Sequence, residues 1–180
     1  MYGKKALLTV SQNSARPTGF MYAVERLQEE REGLMNEMKS IYIDALEVGR
    51  NAGCDNVFQL LADLRMRTEA FVSNLHKYLE WEDEDLFPLV DDYFHKRPGP
   101  SITPSYWGLE KDREMGMLFI QSFLDLKVKE HNEESHTKIK HATSHMAQAC
   151  LIMQEYFRLE AELLFPLADE ILTDIDYFYS

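Results

Sequence analysis

Tyr78-Leu79-Glu80-Trp81-Glu82-Asp83-Glu84-Asp85-Leu86-Phe87-Pro88-Leu89-Val90-Asp91 returns as Tyr156-Phe157-Arg158-Leu159-Glu160-Ala161-Glu162-Leu163-Leu164-Phe165-Pro166-Leu167-Ala168-Asp169. Aligned without gaps, the copies share Tyr, two Glu, Leu-Phe-Pro-Leu and the final Asp. Each copy closes a long run of apolar residues at helical spacing, so the match is a structural repeat. A weaker echo links Glu30-Arg31-Glu32 with Asp112-Arg113-Glu114, and each of these precedes one Tyr-containing copy. The order is therefore helix, helix, then helix, helix.

Outward from the repeat, residues 1–16 show no sustained periodicity and are expected to form an arm. From about Phe20, Leu27, Leu34, Met38, Ile41 and Ala45 share a face, on which Glu30 also falls. The run stops at Val48-Gly49-Arg50-Asn51-Ala52-Gly53. A second helix is predicted from near Asp55 to just past Pro88, with Val57, Leu61, Leu64, Phe71, Leu75, Tyr78, Glu82 and Leu86 on its stripe. The clearest break lies between Tyr93 and Gly108, around His95-Lys96-Arg97-Pro98-Gly99-Pro100 and Pro104, and divides the repeat. A third helix carries Leu109, Asp112, Gly116, Phe119, Phe123 and Leu126. After the polar segment Lys129 to Ser135, a fourth runs from about His136 through His145, Ala149, Ile152, Tyr156, Glu160 and Leu163 to Pro166. Four amphipathic helices without a strand pattern predict an all-α fold, an antiparallel up-down four-helix bundle over residues 17–170 with a C-terminal tail at 171–180.

A chain of 180 residues with an apolar share of 45% is the size of one domain with a full core. No apolar run approaches the roughly 18 residues that span a bilayer. Met1 to Pro17 lacks the layout of a secretory signal, so a cytoplasmic protein is expected. Cys54 and Cys150 fit two reduced thiols better than a disulfide framework. A net charge of −12 argues against nucleic acid or an anionic membrane as partner, because both would repel it.

Each helix places an acid on its apolar stripe: Glu30, Glu82, Asp112 and Glu160. Helices two and four add Tyr78 and Tyr156 one turn earlier on the same face. An ionised carboxylate removed from water without a partner costs several kcal/mol, so four inward acids require compensation. Two divalent cations would neutralise four carboxylates, and facing helices of bundles are where such dimetal sites are built.

These residues resemble the hemerythrin-like domains of the HHE cation-binding type, whose helices two and four carry His-x-x-x-Glu before Leu-Phe-Pro and whose helices one and three each carry a His. The likeness runs from about residue 17 to 170 and is anchored by Glu82 to Pro88 and by Glu160 to Pro166. Further anchors are Glu30-Arg31-Glu32 and the spacing of Pro104 to Asp112. Every family histidine is replaced here, by Glu30, Tyr78, Asp112 and Tyr156, while both glutamates remain. The replacements follow the repeat, an acid on the odd helices and a tyrosine on the even ones. The resemblance implies a carboxylate-rich non-haem dimetal centre of iron or manganese, with Mg²⁺ or Ca²⁺ as further oxygen-preferring ions. Its implied chemistry is that of oxygen, peroxide or NO, of sensing, or of metal handling. It does not decide whether the protein is an enzyme.

The alternative is a bundle that has lost its metal and serves as a structural or protein-interaction module, through a protein partner or a second copy. Tyr78 and Tyr156 would then donate hydrogen bonds to the glutamates, with some carboxyls protonated. His131, His136, His141 and His145 read as a solvated helix start, because His145 lies about 16 Å along a helix from Tyr156. His76 points away from Tyr78 and belongs to the surface. Arg31 and Arg113 sit about 100° from the inward acids and are expected in flanking salt bridges.

Overall fold

In the computed structural model, residues 19–88, 90–91 and 103–179 are described, without the side chains of 103–106 and 175–179. The expected arm at 1–16 and most of the predicted break lie outside them. Among the described residues there are four helices and no strand, an arrangement consistent with a helical bundle. The helices are α1 (Gly19–Arg50), α2 (Val57–Trp81), α3 (Thr103–Leu124) and α4 (Glu133–Tyr179). A π-helical turn, Glu82–Leu86, extends α2 directly. Helix α1 packs on α2 and α4, α3 packs on α4, and α2 also meets α3. No helix among the described residues is long and apolar enough to cross a membrane.

Amphipathic spacing explains each buried face. On α1 the core positions Leu27, Leu34, Met38, Ile41, Ala45 and Val48 follow steps of three and four with one turn missing between Leu27 and Leu34. On α2 the predicted stripe is buried throughout, from Val57 to Leu86. On α3, Leu109, Ile120 and Phe123 face the core, whereas Phe119 is only partly buried against it. Gly116 lets α3 approach α4 closely, since a Cβ there would stand 2.6 Å from Met153 Sδ.

Helix ends depart from expectation where a cap overrides periodicity. Helix α3 begins at Thr103, ahead of the expected Gly108, because Pro104 falls in its first turn, where a missing N–H costs nothing. Helix α4 begins at Glu133, since Asn132 Oδ1 accepts the Ser135 N–H at 2.8 Å as an N-cap and two acids occupy the first turn. The last carbonyl of α3 and one just beyond it are held from α2, where Arg65 donates to Leu124 and, at 3.2 Å, to Leu126.

Pro166 does not end α4 as the sequence predicts: the helix passes through it to Tyr179. Buried Leu164, Ala168 and Ile171 keep the following turns on the core, and that packing outweighs one lost backbone bond. Around Pro88 the same Leu-Phe-Pro string takes a different course. The wider π turn closes with the Phe87 N–H on the Glu82 carbonyl, which eases the proline ring past the preceding turn.

Candidate functional site

Tyr78 and Glu82 stand one turn apart on α2 and its π extension, and Tyr156 and Glu160 repeat that spacing on α4. The two pairs meet in the interior and cross. Tyr78 Oη donates to Glu160 Oε2 at 2.9 Å, and Tyr156 Oη donates to Glu82 Oε2 at 3.1 Å. Tyr78, Glu82 and Glu160 are 0% exposed and Tyr156 is 3% exposed, so the four close a polar box within the core.

The second oxygens, Glu82 Oε1 and Glu160 Oε1, are buried with no donor as long as both groups count as carboxylates. Protonation of one carboxyl, which burial and the neighbouring carboxyl favour at Glu82, would supply a donor here. Burial, then the charge of Glu160, raises Glu82 well above the usual carboxylate range. Burial also raises Glu160, but the hydrogen bonds from Glu82, Tyr78 and Tyr156 and the Arg31 charge oppose it. Burial thus favours the protonated form of both carboxyls, most strongly at Glu82, while the Arg31 charge favours the ionised form of Glu160. Both phenols are held above their ordinary range, first by burial and then by the Glu160 and Glu82 charges.

Arg31 supplies the compensating charge. Its Nε lies 3.8 Å from Glu160 Oε2 and donates to the Phe157 carbonyl at 3.0 Å. Its other flank lies over Phe165 and borders a cleft of about 360 Å³ with Gln28, Asn36 and Lys39, so the guanidinium links solvent to the buried carboxylate. The sequence carried a signal for this position. Placing Arg31 between Leu27 and Leu34 restores the alternation of four and three that continues to Val48, whereas Glu30 breaks it. The alternation through Leu109, Gly116, Ile120 and Phe123 likewise passes through Arg113, which reaches Asp83 at 3.5 Å.

Of the six residues proposed as ligands, the structure thus brings together Tyr78, Glu82, Tyr156 and Glu160. Glu30 is partly exposed and pairs with Arg26 at 2.6 Å, and Asp112 is half-buried on α3. Among the described residues no three His, Cys, Asp or Glu side chains form a group that could hold a metal ion. Each of the two carboxyls brought together accepts from one phenol and a guanidinium stands at one edge, so the box supplies two carboxylates where the expected centre has four.

The histidines among the described residues stay outside the box. His76 and His141 are exposed, as expected. The helix start is less solvated than the sequence suggests: His131 lies edge-on to Phe58, His136 is half-buried with Nε2 unpartnered, and His145 Nδ1 meets Ser122 Oγ at 2.9 Å. Both cysteines are free, Cys54 exposed and Cys150 buried, and burial pushes the Cys150 thiol up to about 12. What fold and site define is an all-helical protein with a crossed Tyr-Glu box at its centre. No family model, no curated protein and no solved structure matches the chain.

Proposed function

We propose that the chain is a hemerythrin-like, antiparallel up-down bundle in which a metal-free Tyr-Glu box stands where a dimetal centre would be, and that it serves as a structural or protein-interaction module. The observation that carries this reading is the crossed pair of hydrogen bonds, which gives each carboxyl a donor from within the protein. The charge that two cations would balance is reduced by the protonation that burial favours at Glu82 and by Arg31. Trp107, Met115 and Leu118, exposed on α3 and spaced to share a face, support an interaction role.

Elemental analysis of protein purified without chelator, combined with thermal melts, tests the reading. The expected result is no stoichiometric metal and no rise in melting temperature with Mn²⁺, Fe²⁺ or Ca²⁺. The Glu82→Gln, Glu160→Gln double variant should retain or exceed wild-type stability, because a buried charge is removed while hydrogen bonding is kept. Tightly bound metal, with a metal-dependent melting temperature that the double variant abolishes, would overturn it.

A further inference from the structure

Tyr78 combines three features that no other residue of the box brings together. It is wholly buried, its hydroxyl donates at 2.9 Å to the carboxyl beside Arg31, and its ring lies 6.1 Å, centroid to centroid, from Trp81. Trp81 is 7% exposed and is covered by the Arg26 guanidinium at 4.4 Å. An oxidisable indole at the edge of the core thus adjoins an oxidisable phenol that is already hydrogen-bonded to a base.

We infer that Trp81, Tyr78 and Glu160 form a relay that takes up single-electron oxidation, its substrate class being a diffusing one-electron oxidant that reaches the surface beside Trp81. The oxidant accepts one electron from the Trp81 indole, and Trp81 is refilled by an electron from the Tyr78 ring. As that electron leaves, the Tyr78 O–H bond breaks and its proton forms an O–H bond at Glu160 Oε2. The products are a reduced oxidant, a neutral phenoxyl on Tyr78, a protonated Glu160 and an unchanged Trp81.

Several contacts give the relay its direction. A guanidinium over the indole disfavours a second positive charge there, so the oxidising equivalent does not rest on Trp81. Phenol oxidation requires loss of the phenolic proton, and Glu160 takes it without reorganisation because the hydrogen bond is already made. The transfer also removes an ionised carboxylate from a site of low dielectric. Tyr156 lacks these advantages. Its acceptor is Glu82, not the carboxyl beside Arg31, and Phe157, the ring beside it at 5.2 Å, does not conduct oxidation.

The inference rests on the metal-free box proposed above, and one preparation tests the two separately. The full chain is treated with chelator, its metal content is measured, and it is oxidised with photogenerated tris(bipyridine)ruthenium(III). Transient absorption and freeze-trapped electron paramagnetic resonance then follow the phenoxyl radical. Wild type should give a phenoxyl signal that Tyr78→Phe removes and Tyr156→Phe retains. Trp81→Phe should slow its appearance. Glu160→Gln keeps an acceptor for the phenol but removes the base, and should slow radical formation by about 100-fold. This variant also decides the matter if Tyr78→Phe fails to fold. An unchanged signal in Tyr78→Phe would place the radical on an exposed residue such as Tyr22, 58% exposed, and overturn the relay. An unchanged rate in Glu160→Gln would overturn it equally. Metal retained in a sample whose phenoxyl follows the expected pattern would remove the metal-free reading and leave the relay standing.

Discussion

Burial raises the Glu82 carboxyl well above the range, near pH 4, in which the unfolded chain gives up this proton. Above that range the native state binds more protons than the unfolded state, so stability falls as pH rises towards the folded pKa. The stability this group contributes is complete below the unfolded value and is lost upwards, opposite to a salt-bridged carboxylate. Glu82→Gln fixes the neutral form and can still accept from Tyr156 and donate to Glu160. Its stability relative to wild type is expected to grow with pH from roughly 4 to 7, by roughly 1 to 3 kcal/mol. Urea unfolding of both proteins across that range measures the difference, and self-repulsion common to both cancels from it. A gap that stayed constant or narrowed with pH would contradict a raised Glu82 carboxyl.

The two Leu-Phe-Pro strings show at the level of elements how one local sequence takes two conformations. Pro166 lies inside an unbroken α-helix, where it leaves the Glu162 carbonyl without its intrahelical donor and presses its ring on that turn. Pro88 follows a π turn that has already widened. Both prolines are exposed, so replacing either by alanine opens no cavity. Pro166→Ala should therefore stabilise the protein by roughly 1 to 3 kcal/mol, and Pro88→Ala by clearly less. Chemical denaturation of the two variants beside wild type ranks them, and equal gains would mean that the π turn relieves nothing.

Across the whole molecule, net charge opposes compaction. At −12, much of the surface repels itself, and the exposed ion pairs of Arg158 with Glu155 and Glu162 or of Lys138 with Glu134 are too solvated to offset it. Raising ionic strength from about 10 mM to about 300 mM should therefore raise the melting temperature, since the Debye length falls from about 30 Å to under 10 Å. Scanning calorimetry in sodium chloride, with a chelator present, separates screening from metal binding. A fall in melting temperature would show that the surface ion pairs matter more than the net repulsion.

What the sequence determined by itself was the helical period and the repeat. Apolar steps of three and four placed Leu27 to Ala45, Val57 to Leu86 and Tyr156 to Glu160 on buried faces, because burial of a helix stripe is a local consequence of 3.6 residues per turn. The repeat also picked out Tyr78, Glu82, Tyr156 and Glu160 together. Neighbouring positions that satisfy the same period were beyond it: Glu30 and Arg31 differ by one step, and packing set Arg31 inward beside Glu160. Tertiary structure also crossed the tyrosines onto the opposite helix's glutamates and gave only one Leu-Phe-Pro string a π turn. Periodicity reports which side of a helix is buried; which groups meet there, and which carboxyl keeps its proton, depends on contacts between residues 74 to 82 positions apart in the chain.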